Sequence, residues 1–195
     1  YGSWRLCQNL NYSTSSLCRK GNAVLFLNCT NKVIKRCGLE KKHLAKGEAS
    51  SAKLGNWYVT IFEADGINIF LYMSEKTFLS FVMFEGQKIT PQKLSTAFLG
   101  GLQQLLKMLG YKLPEIAKVE SEYAQGLFCG VDNLSMAGVL TNMAQEYRWH
   151  IEDNGGLSYC DLGAIIEHVN SMPRKKLGFR SATELTKEVI ETIAT

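Results

Sequence analysis

No apolar run in this 195-residue chain approaches the roughly 20 residues a membrane-spanning helix needs. The opening residues lack the basic-then-apolar pattern of a secretion signal: Asn11, Tyr12, Ser13, Thr14, Ser15 and Ser16 stand where the apolar stretch belongs. These absences lead to the expectation of a cytoplasmic protein. None of the six cysteines (Cys7, Cys18, Cys29, Cys37, Cys129 and Cys160) forms a C-x-x-C pair or zinc-finger spacing, so reduced, mostly buried thiols are expected. The sequence also lacks a Walker A loop, a G-x-G-x-x-G after a strand, and H-E-x-x-H. Only His43, His150 and His168 could serve as an imidazole base, and none lies in a recognisable triad. No motif points to an enzyme, a cofactor or a metal.

What is present is an ordinary globular composition, 46% hydrophobic and 21% charged, at a length suited to one domain. The net charge of +4 hides an asymmetry. Residues 1–53 carry ten Lys or Arg against two Glu, whereas residues 54–195 carry twelve basic and sixteen acidic side chains. A basic end on a mildly acidic body suits contact with a polyanion or an acidic protein surface, although a solvated face explains it too.

Residues 1–23, rich in Ser, Asn, Tyr and Arg, read as an N-terminal extension outside the fold; residues 24–195 read as a single α+β domain. Val24, Leu25, Phe26 and Leu27 have β character, and Thr30 and Gly38 bracket a short helix. Residues 40–55, charged and rich in Ser and Gly, suit a mobile loop. Residues 57–62 and 67–73 form two strands around Asp65-Gly66, a pair that favours a tight hairpin. A third strand is expected over 77–84, ended by Glu85-Gly86, completing an antiparallel meander. Thr90-Pro91 opens a helix with an apolar stripe of Leu94, Phe98, Leu102, Leu105, Leu106 and Leu109, in which Gly100-Gly101 reads as a close packing point. Further helices are expected over 114–125, from Asp132 or Asn133 to about 149, and over 162–170. A strand at 127–131 and a final helix behind the Ser181-Ala182-Thr183-Glu184 capping box complete the pattern.

Asp132, Glu152, Asp153, Asp161 and Glu167 are candidate magnesium carboxylates for a nuclease, but caps and exposed helix faces explain most of them. The segment 170–181 is the most distinctive: Arg174, Lys175, Lys176 and Arg180 surround Leu177-Gly178-Phe179, which could anchor the loop to the core while the cations grip phosphates. An inter-helix linker accounts for it equally well.

The tail Asn170-x-x-Pro173-Arg174-Lys175-x-Leu177-Gly178-Phe179-x-Ser181-x-x-Glu184-Leu185 resembles the end of the catalytic region in some DDE-type insertion-sequence transposases. That resemblance implies a ribonuclease-H-like fold with three acids, but the strands read here do not supply the set, and no catalytic residue carries over. Over residues 24–195 the chain is similar to a family of small uncharacterised bacterial proteins found in chromosomes and on mobile elements. The likeness rests on Leu27-x-Cys29-Thr30-x-Lys32, the Trp57 hairpin, Asn133-x-Ser135-x-x-Gly138 and the Pro-x-Lys-x-Leu-Gly tail. It implies extent and fold, and no activity.

The expected fold is α+β: an antiparallel sheet of four to five strands with helices packed on one face. Its core should include Phe26, Trp57, Val59, Ile61, Ile69, Leu71, Phe81, Leu102, Leu105, Leu140 and Ile166. The leading functional expectation is a non-enzymatic binding protein associated with mobile elements, contacting nucleic acid or a nucleic-acid-handling protein. A phage- or plasmid-encoded inhibitor of host defence fits that description. The binding residues would be Lys32, Lys35, Arg36, Lys41 and Lys42 in one cluster and Arg174, Lys175, Lys176 and Arg180 in another, sharing one face. The alternative is a small anionic ligand or nucleotide binder, or an enzyme, with a pocket at the helix start over 133–138 lined by Trp57, Tyr58, Asn133 and Ser135.

Overall fold

The computed structural model describes residues 24–84, 89–123 and 125–191; the 1–23 extension, Cys7, Cys18 and the Glu85-Gly86 turn lie outside the described residues. The elements in chain order are β1 (Val24–Cys29), α1 (Asn31–Cys37), β2 (Trp57–Ala64), β3 (Ile67–Ser74), β4 (Ser80–Phe84) and α2 (Pro91–Met108). They continue with α3 (Leu113–Ser121), β5 (Gln125–Gly130), α4 (Leu134–Asp153), α5 (Leu162–Ser171) and α6 (Ala182–Glu191). Short 3-10 turns occupy Lys41–His43 and Lys175–Leu177.

The strands form a five-stranded sheet in the order β4-β3-β2-β1-β5. β2, β3 and β4 are the antiparallel meander that the sequence indicates. Asp65 (φ 51°) and Gly66 (φ 72°) both take the left-handed conformation that a two-residue primed turn requires. The sheet as a whole is mixed, however, and not antiparallel: β1 runs parallel to β2 on one side and to β5 on the other. Strand direction here depends on the route of the connecting chain. β1 reaches β2 through α1 and its following loop, and such a crossover returns the chain parallel.

The helices cover both faces rather than one. Trp57, Val59 and Ile61 alternate with Tyr58, Thr60 and Phe62 along β2, and period-two geometry sends the two sets to opposite sides. On the Trp57 side, ring centroids of Trp57 lie 5.8 Å from Phe81, 5.0 Å from Phe98 of α2 and 6.5 Å from Tyr123, just after α3. Gly101 lets α2 approach this face, because an added Cβ would stand 2.1 Å from Phe81 Cε2. On the other side, Ser80, the neighbour of Phe81 in β4, bonds Tyr147 of α4 through its hydroxyl (3.0 Å) and Asn170 of α5 through its backbone N–H (2.8 Å). A second helical layer is stable because both sheet faces are apolar: Ile69, Leu71 and Val82 on this side are as deeply buried as Val59, Tyr72 and Phe81 on the other. All eleven expected core residues are buried.

Local signals held at most element ends. Gly38 terminates α1 in the left-handed conformation (φ 67°), Thr90 Oγ1 accepts from the Lys93 amide (3.3 Å), and Asn133 Oδ1 accepts from the amides of Ser135 (3.0 Å) and Met136 (3.1 Å). Ser181 and Glu184 close the reciprocal capping box at 3.1 and 2.8 Å. Some boundaries moved. The third strand starts at Ser80 because residues 75–79 turn, with Phe78 at φ 58°, and α3 stops at Ser121 so that β5 can begin at Gln125. The 40–55 segment is not loose. Ala45 donates to Phe128 O (2.8 Å) beside β5, Lys53 N donates to Glu122 Oε2 (2.6 Å), and Ala52 and Leu54 are wholly buried.

Candidate nucleic-acid interface

α1 presents a basic outer face because Val33, Cys37 and, in part, Ile34 turn inward, leaving Lys32, Lys35 and Arg36 exposed. The chain then passes Gly38 and enters the 3-10 turn, where Lys41, Lys42 and His43 are exposed as well, as is Lys46 beyond it. Residues 31–46 thus display six Lys or Arg side chains against one acid, Glu40. Lys42 Nζ lies 2.6 Å from Glu40 Oε2, with both side chains largely in water. An exposed pair of that kind is worth about 0–1 kcal/mol and gives way to a stronger anion. Lys35 and Arg36 stand in the last turn of α1, where the helix dipole favours positive charge.

The second cluster is differently employed. Arg174 is half-buried, bonded to Glu146 Oε2 (2.8 Å) and to Val169 O (3.1 Å), so it ties the loop to α4 and α5. Lys176 donates to Ser135 Oγ (3.0 Å) and approaches Ser135 O (3.3 Å). Arg180 is hydrogen-bonded to Glu188 of α6, which holds its guanidinium above its ordinary pKa. Lys175 is exposed. Arg174 and Arg180 also pair through their backbones, with Gly178 (φ 66°) and Phe179 (φ 62°) in left-handed conformations between them. Phe179 does not anchor this loop: it is 73% exposed, because the left-handed backbone turns it outward, and Leu177 packs instead.

The two clusters sit on different elements: Lys32, Lys35 and Arg36 on α1, and Arg174 on the loop tied to α4 and α5 on the Ser80 side. The alternative pocket is not assembled. Trp57 is wholly buried against α2 and α3, while Asn133 and Ser135 are exposed at the start of α4, on the other face. Tyr58 does face the α4 side, and burial, followed by the charges of Glu75 and Asp132, pushes its phenol up to about 12. Asn133 already accepts the first free amides of α4, so this helix start offers little to an anion.

The Cys29 and Cys129 thiols are unsuited to nucleophilic chemistry. Burial, then Cys37 and Cys129, drives the Cys29 thiol far above its ordinary range, and burial with Asp132 raises Cys129 to about 11. Of the candidate magnesium carboxylates, Asp161 caps α5 through the Ala164 amide (3.1 Å). Among the described residues no group of three His, Cys, Asp or Glu side chains is placed to hold a metal ion. Nor, among them, is any helix long and apolar enough to cross a membrane.

The fold and surface define a mixed-sheet α+β domain with a basic crossover helix. The chain belongs to the family described as Domain of unknown function (DUF6933), which matches residues 26–185. That agrees with the sequence's resemblance to an uncharacterised family. No curated protein matches significantly. Solved structures that match include the catalytic core domain of BIV integrase, at 11% identity over 71% of this chain and 97% of that chain, with a TM-score of 0.48. A likeness at that level carries no functional argument.

Proposed function

We propose that this protein is a binding module that grips the phosphate backbone of a nucleic acid through α1 and the turn after it. The observation that carries the reading is the exposure of Lys32, Lys35, Arg36, Lys41, Lys42 and Lys46 within one continuous segment, opposed by a single, weakly paired acid. Such a surface binds by releasing counterions, so affinity falls steeply with salt and depends little on sequence. Arg174, Lys176 and Arg180 hold the α4–α5–α6 layer together, and the reading assigns them no phosphate.

The test is binding of the purified chain to short DNA and RNA, single- and double-stranded, across a salt series. Each of Lys32→Ala, Lys35→Ala and Lys41→Ala should weaken binding for all sequences alike and reduce the salt slope by about 1. Lys175→Ala should change neither. The proposal is lost if the chain does not bind at low salt, or if the Lys175 variant is as damaging as those in α1.

A further inference from the structure

His150 of α4 and His168 of α5 face each other across the helix pair, their ring centroids 4.8 Å apart and their planes at 85°. The separation is informative. With metal–nitrogen bonds of about 2.0–2.1 Å, two imidazoles bound to one ion at an angle of roughly 90–110° have centroids about 4.5–5.2 Å apart. We propose that His150 and His168 form a two-imidazole clamp for a divalent transition-metal ion of the zinc, nickel or copper type. This site is separate from the basic segment and uses neither of its turns.

Both rings stand on helix segments whose neighbours are tied to the sheet. Tyr147, three residues before His150, is fixed by its hydroxyl to Ser80 (3.0 Å). Asn170, two residues after His168, bonds Ser80 O (2.7 Å), the Ser80 amide (2.8 Å) and Ile166 O (2.8 Å). Ile151 and Val169, the chain neighbours of the two histidines, are wholly buried. The imidazoles therefore stand on anchored segments of two helices, and the ion need not order either one. Access is open, since His168 is exposed and His150 half-exposed. Imidazole is the side chain that suits zinc, copper and nickel, while magnesium and calcium prefer oxygen. No third His, Cys, Asp or Glu joins the pair among the described residues, so the remaining positions fall to water or an incoming ligand. That makes an open, exchangeable site, unlike the closed four-ligand structural sites.

The experiment is calorimetric titration of the full chain with nickel chloride and zinc chloride, beside thermal unfolding with and without each ion. Saturable binding of one ion per chain and a raised unfolding midpoint are expected, because an ion bound only by the folded state stabilises it. Outer-shell partners of a metal are worth about 10- to 100-fold in affinity, so His150→Gln and His168→Gln should each weaken binding at least tenfold. His168 is exposed, so its variant should keep the wild-type circular dichroism and midpoint without metal. Absence of saturable binding, or binding undiminished in the double variant, overturns the proposal. The latter outcome would mean that the ion sits elsewhere, on cysteine for instance.

Discussion

At the residue scale, adjacent glycines in one helix have opposite roles. An added Cβ at Gly101 meets Phe81 at 2.1 Å, and Phe81 is itself stacked on Tyr72 at 4.8 Å, so it has no space to yield. Gly101→Ala should cost about 1–3 kcal/mol of stability by overpacking. Gly100 has nothing within 4 Å of that position. Gly100→Ala should leave stability unchanged or raise it by up to about 1 kcal/mol through helix propensity. Denaturant midpoints of the two variants test the contrast, and similar values would mean that α2 is not seated as described. A Gly-Gly pair in a helical pattern suggests close packing, but which glycine meets the ring depends on the angle at which α2 crosses the sheet.

At the element scale, the ends of α6 and α4 behave as their sequences indicate, because capping is a matter of neighbours along the chain. Hydrogen bonds from the Ser181 backbone amide, and then from the Ser181 hydroxyl, hold the Glu184 carboxyl below its ordinary pKa. A depressed folded-state pKa gives stability that is present above the unfolded value and lost as pH falls through the folded one. The stability difference between wild type and Glu184→Gln should therefore be present at neutral pH and shrink below about pH 4. Denaturation at a series of pH values checks this, and a difference independent of pH would remove the carboxylate's role. The segments misjudged from sequence are those whose partners are distant. The 40–55 stretch has loop composition, yet β5, Glu122 and the Lys76 ammonium fix it (Lys76 Nζ to Ala52 O, 2.8 Å). Leu177-Gly178-Phe179 is apolar enough to anchor a loop, but the left-handed conformation at Phe179 turns the aromatic into solvent.

At the scale of the whole molecule, β1 joins the two halves of the sheet, with β2 on one side and β5 on the other. Leu27 pairs with Trp57 and Phe128, so its N–H is needed by one neighbour or the other. Leu27→Pro should unfold the protein, since a central strand cannot spare a ladder donor. Asn31→Pro, at the first position of α1 and after extended Thr30 (ψ 158°), should be tolerated. Circular dichroism and soluble yield distinguish the two, and equal tolerance would place β1 outside the cooperative core. The sequence by itself determined the hairpin, the helix caps, the apolar faces and the basic surplus near the chain's start, because each depends on residues close along the chain and on period. Tertiary structure alone decided that β1 lies parallel between β2 and β5 and that helices cover both faces. It also gave the second basic cluster internal partners. Those outcomes depend on how crossover segments route the chain and on which distant side chains share a layer, and no local pattern encodes either.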